Sequence, residues 1–177
     1  MEIRVSNQNF NEEILCSKVF EGEVNGHLTL IVDNGFAAEI FVNGVSYDTY
    51  GADKHDLGRR LNRKSIQVYA KKANDTTIYF GMRVPNKCIL NGAYVVSIIS
   101  FTRIRNIDMF TSNQITIENV RDAFNSKIQK IMEKCDLVIN DTADAIGKYI
   151  ASNIAEELSN NGLQIKTLVV NHFEKIN

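Results

Sequence analysis

After Ile104 the spacing of apolar residues changes period, and that change decides what class of fold the chain can adopt. Upstream of it, short β-prone runs alternate with turn residues. Downstream, apolar residues recur at three- and four-residue intervals. A chain organised in this way folds as α+β, with an antiparallel β-meander sheet first and helices after it.

The strand half is read from its punctuation. Glu13 to Phe20 is followed by Gly22, Asn25 and Gly26, and then by Leu28 to Val32. Asp33-Asn34-Gly35 separates that run from Phe36 to Val42, and Asn43-Gly44 separates Phe36–Val42 from Val45 to Tyr50. Asn-Gly between β-prone runs signals a hairpin, because both central residues of a type I′ turn need positive φ. Further runs are Ile66 to Ala70 and Thr76 to Met82, joined through Asn74-Asp75. Lys87 to Leu90 and Tyr94 to Phe101 follow, joined through Asn91-Gly92. Pro85, the only proline, falls between runs, where a missing N–H harms no ladder.

The helical half opens at Thr116, a suitable N-cap, and carries Ile117, Val120, Phe124, Ile128, Ile131 and Cys135 on one face. A second helix has Ile146, Ile150, Ile154 and Leu158 in one stripe and Ala143, Gly147, Ala151 and Ala155 in the next. Side chains this small allow a sheet or another helix to approach closely. Asn161-Gly162 closes that helix, and Leu163, Ile165, Thr167 and Val169 then alternate as a closing C-terminal strand. With no linker and no internal repeat, residues 1–177 read as a single domain.

Composition narrows the class of protein. Of 177 residues, 44% are hydrophobic and 23% charged, values of a globular chain. The longest strongly apolar stretch, Tyr94 to Phe101, is too short to cross a bilayer, and Met1–Phe10 is polar and mixed in charge. Cys16, Cys88 and Cys135 lie far apart and cannot all pair, which fits a reducing cytoplasm and small buried side chains.

Nothing in the sequence assembles a catalytic centre. His27, His55 and His172 occur singly, without a Cys, His or carboxylate at metal-ligand spacing, so no metal site is expected. There is no phosphate loop, dinucleotide fingerprint or serine elbow, and no catalytic residue, cofactor or small-molecule substrate is predicted. The net charge of −1 conceals one basic segment, Lys54 to Lys64, in which Arg59, Arg60, Arg63 and Lys64 are opposed only by Asp53 and Asp56. These four residues are the candidate anion-binding site, for lipid headgroups, a nucleic-acid backbone or an acidic partner. No aromatic residues are interleaved with them, which argues against a single-stranded nucleic-acid platform.

The run from Leu28 to Gly51 resembles the opening hairpin of the SPFH (band 7) domain family, which includes stomatin, prohibitin and flotillin. Gly92 to Ile104 followed by Ile107-Asp108-Met109-Phe110 is similar to the long strand and short helical segment of that family. The two helices and Asn161 to Val170 resemble its paired helices and closing strand, so the likeness covers Leu28 to Phe173. It implies a non-enzymatic scaffold or interaction domain that self-associates or recruits a protein partner, cytoplasmic or peripheral to a membrane. Docking is expected on an exposed sheet edge, or on the polar helix faces Arg121 to Lys134 and Lys148 to Glu157. The alternative is an anion-binding module using Lys54 to Lys64.

Overall fold

The computed structural model describes residues 1–99, 113–160 and 162–176, apart from the side chains of Glu156 and Glu157. The expected helical segment Ile107–Phe110 and the end of the run Tyr94–Phe101 lie outside the described residues. The architecture is α+β, with eleven described strands and two α-helices. They fall into two compact units: residues 1–74 with 113–116, and residues 75–99 with 117–176. Among the described residues no helix is long and apolar enough to cross a membrane.

The first unit holds two sheets. In one, β1 (Glu2–Val5), β3 (Leu28–Val32) and β6 (Asp53–Gly58) run in the order β1-β3-β6. In the other, β2 (Ile14–Glu23), β4 (Phe36–Val42), β5 (Val45–Tyr50), β7 (Ser65–Lys72) and β10 (Gln114–Thr116) run in the order β10-β2-β7-β4-β5. This departs from a single antiparallel meander, since β1 and β3 are parallel and the consecutive strands β3 and β4 do not pair. The turn at Asp33, with Gly35 at φ 88°, carries the chain from one sheet to the other. A flat meander would leave one apolar face of β3 in water. A second layer instead buries Leu28, Leu30 and Val32 in one cluster with Phe36, Ala38 and Ile40.

The Asn43-Gly44 hairpin forms as expected, with φ of 52° and 79° and β4 antiparallel to β5. The join at Asn74-Asp75 is not a hairpin. Strand β7 is already flanked by β2 and β4, so β8 (Thr76–Val84) finds no free edge there and belongs to the second unit.

The second unit is a three-stranded antiparallel sheet, ordered β11-β9-β8, with two helices. Strand β9 spans Cys88–Ile98 without interruption and β11 spans Leu163–Lys175. Asn91-Gly92, expected to be a turn, therefore lies inside a strand. A Cβ on Gly92 would stand 2.2 Å from the Val169 carbonyl oxygen and 2.8 Å from the Phe80 ring, so the position is one of close approach and not of chain reversal. The helices α1 (Ile117–Lys134) and α2 (Ala143–Asn160) follow the expected stripes: Val120, Phe124 and Ile128 of α1 and Ile146, Ile150 and Ile154 of α2 are buried. Helix α1 begins directly after β10, whose last residue is Thr116.

The core of this unit is aromatic. Tyr94 stacks on Phe124 with ring centroids 3.8 Å apart, and Phe80 packs at 5.6 Å from Phe124. Helix ends are tied down by side chains. Thr142 Oγ accepts from Ala145 N at the start of α2, and Lys87 Nζ donates to the Met132, Glu133 and Cys135 carbonyls at the end of α1.

Candidate functional site

In the second unit β11 and β8 are the outer strands of the sheet; β11, thirteen residues long, pairs with β9 alone among the described residues. The ladder with β9 shifts register between Ile165 and Thr167 and again between Val170 and His172. Such irregularities twist an edge and interrupt further pairing, which is how long edge strands are kept from sticking to one another. Between them Thr167, Leu168, Val169 and Val170 form one regular stretch.

That stretch borders a groove of about 460 Å³, bounded on the other side by α2. The small-residue stripe of α2 creates it. Ala143, Gly147 and Ala151 succeed one another at intervals of four, and none has a side chain long enough to fill the space over Leu168 and Val170. A Cβ on Gly147 would lie 3.5 Å from the Val170 nitrogen, so helix and strand are already close at the groove floor. Ala155, read from the sequence as part of the same stripe, is exposed and takes no part. At the rim Lys148 Nζ pairs with Asp144 at 2.7 Å. Both side chains are largely in water, so the pair contributes little stability, and the carboxylate hydrogen bond raises the lysine pKa. Val169 is 48% exposed, an apolar side chain facing solvent in the middle of the regular stretch.

The residues singled out as an anion site lie in the first unit. Arg59, Arg60, Arg63 and Lys64 occupy the turn between β6 and β7, and all four side chains are exposed. The turn is held by its backbone: Arg63 N donates to the Val24 carbonyl at 2.7 Å, Val24 N donates to the Lys64 carbonyl at 3.0 Å, and Asn62 Oδ1 accepts from Gly26 N. Leu61, fully buried, anchors it from within, and Arg63 adopts a φ of 60°. None of the four cations has a side-chain hydrogen bond or ion pair among the described residues. Lys54 precedes them on β6, and Asp56, the nearest acid in sequence, is engaged by His27 Nε2 at 2.7 Å.

The other chemically active groups are dispersed. Cys16, Cys88 and Cys135 are buried, and burial pushes each thiol's pKa up, the reverse of what a thiolate nucleophile needs. Lys71 pairs in register with Cys16, and burial lowers its pKa. Glu39, 6% exposed, accepts from Ser46 Oγ. His55 Nε2 lies 2.8 Å from the Gly51 carbonyl and His172 lies 3.8 Å from Glu174. Among the described residues no three His, Cys, Asp or Glu converge as metal ligands would.

The sequence pointed to sheet edges without distinguishing one from another. Which strands lie at an edge depends on strand order, and the spacing of Ala143, Gly147 and Ala151 was the local signal of a groove beside β11. No protein-family model matches the chain, and no curated protein matches it.

Proposed function

We propose that the chain is a non-enzymatic interaction domain that self-associates by pairing β11 with β11 of a second copy. The observation that carries this reading is the coincidence of the regular stretch Thr167–Val170 with the groove beneath α2. A strand added to that edge needs apolar side chains at alternate positions on the helix side. β11 itself offers Leu168 and Val170 in that register, alternating with Val169, which is 48% exposed. Antiparallel pairing about a two-fold axis joins two three-stranded sheets into one of six strands, the same edge serving both copies. Self-association is one of the two roles, with recruitment of a protein partner, that the resemblance to SPFH domains implies.

Light scattering over a wide concentration range tests the reading. The wild type should form a discrete dimer that dissociates on dilution. Val169→Lys, a charge placed on an already exposed edge position, should leave a folded monomer by circular dichroism. A wild type that is monomeric throughout, or a variant that still dimerises, sinks the proposal.

A second reading, anion binding by the β6–β7 turn, is favoured by one observation: the four cations are exposed and lack side-chain partners among the described residues. Association with phosphatidylserine vesicles should fall steeply with salt and vanish when Arg59, Arg60, Arg63 and Lys64 are all replaced by alanine. No association at low salt ends that reading.

A further inference from the structure

A second groove in the same unit, of about 300 Å³, lies between the two helices and involves neither β11 nor the basic turn. From α1 it takes Lys127, Lys130, Ile131 and Lys134, and from α2 it takes Tyr149 and Asn153. The α1 residues fall at intervals of three and four, so three ammonium groups rise from one helix face. Lys127, Ile131 and Tyr149 are half-buried and form the floor, while Lys130, Lys134 and Asn153 are exposed at the rim.

The polar inventory is that of a site for an anion. Neither Lys130 nor Lys134 has a side-chain hydrogen bond or ion pair among the described residues, and the Tyr149 hydroxyl is also without a partner there. The nearby acid on α1, Glu133, is engaged by Gln129 Nε2. Asn153 Nδ2 is committed to the Tyr149 carbonyl at 2.7 Å. Lys134, in the last turn of α1, has an adequate explanation in the helix dipole. Lys130 stands further up the helix, where the dipole no longer accounts for it.

We propose that this groove binds a phosphate-bearing organic anion, with the phosphates on Lys130, Lys134 and the Tyr149 hydroxyl and the apolar body of the ligand on Ile131 and the Tyr149 ring. A site of this size lies at the lower end of the range for small-molecule pockets and is larger than a lone phosphate needs. Multiply charged phosphate is favoured over a carboxylate because several cations converge on one space, and lysine meets phosphate as a point charge.

The test measures binding of ADP by isothermal calorimetry, and of vesicles with and without phosphatidic acid by co-sedimentation, both at low ionic strength. Lys130→Ala/Lys134→Ala should weaken whichever probe binds by about tenfold, as expected for two largely solvated charge contacts. Tyr149→Phe should weaken it less, leaving the fold unchanged by circular dichroism. Binding of ADP assigns a soluble ligand and binding of phosphatidic acid vesicles alone assigns a headgroup; both support the site. Absence of binding by either probe overturns it. So does binding that the double variant leaves at wild-type strength, or that is lost only when the four cations of the β6–β7 turn are replaced.

Discussion

The dipeptide Asn-Gly recurs along the chain, and two of its instances, at 43–44 and at 91–92, do opposite things. Asn43 and Gly44 take φ of 52° and 79° and reverse the chain in a two-residue hairpin. Asn91 and Gly92 lie mid-strand in β9, paired on both sides, with Gly92 opposite Phe80 on β8 and Val170 on β11. Around Gly44 a Cβ would meet nothing within 4 Å; at Gly92 it would collide with a carbonyl and a ring. Local turn chemistry is decisive where nothing else competes for the segment. It gives way where a neighbouring strand and an aromatic side chain need the space.

Gly92→Ala is the most severe way to press this comparison. The nearest atom to the added methyl is the backbone oxygen of Val169, held in the β9–β11 ladder, and backbone cannot step aside as a flexible side chain can. The expected loss is about 3 kcal/mol, at the upper end for overpacking. It should be visible as a lowered urea midpoint and as faster amide exchange confined to β9 and β11. A midpoint equal to the wild type would mean that the strand shifts freely and that the glycine is not there for close approach.

The same contrast explains what could be read from the chain. The helices were legible because Val120, Phe124 and Ile128, like Ile146, Ile150 and Ile154, bury along one face with a period that sequence displays directly. The hairpin at Asn43-Gly44 was legible for its φ requirement. Strand β6 was not, since only Leu57 in Asp53–Gly58 is buried and the segment reads as a charge cluster. Strand β1 was hidden by its brevity, although Ile3 and Val5 alternate inward. Pairing order was invisible altogether: that β3 joins β1 and β6, or that β11 is an edge, is decided by which edges remain free. The cations follow the same logic. Arg59 to Lys64 stand out as a run, whereas Lys127, Lys130 and Lys134 become a groove only when α2 brings Tyr149 and Asn153 beside them.

Gly44→Ala should have a smaller effect than Gly92→Ala. Its cost is the left-handed conformation alone, about 1 kcal/mol for a side chain at φ 79°, with no steric clash to add. Urea melts of the two alanine variants side by side settle the ranking, and a Gly44→Ala variant hurt as badly as Gly92→Ala would show that the hairpin, too, is under packing constraint. Gly44→Asn should recover part of the loss, since asparagine tolerates positive φ.

Tyr94, two residues beyond Gly92 on β9, gives the smallest expected effect and the finest probe of the same region. Its ring stacks on Phe124, but its hydroxyl is buried without a hydrogen-bond partner among the described residues. Removing an unsatisfied hydroxyl while keeping the ring costs nothing, so Tyr94→Phe should be neutral or stabilising by up to about 1 kcal/mol near pH 7. Burial also raises the phenol pKa above its ordinary 10.0, with the Arg121 charge opposing the shift. A folded-state pKa above the unfolded one means that this group's contribution is intact below pH 10.0 and drains away as pH rises past it. The wild type should therefore lose stability in strong alkali faster than Tyr94→Phe, and urea midpoints for both across that range measure the difference. Parallel curves would show that the hydroxyl reaches solvent, and that β9 around Gly92 is packed less tightly than the clash at its neighbour implies.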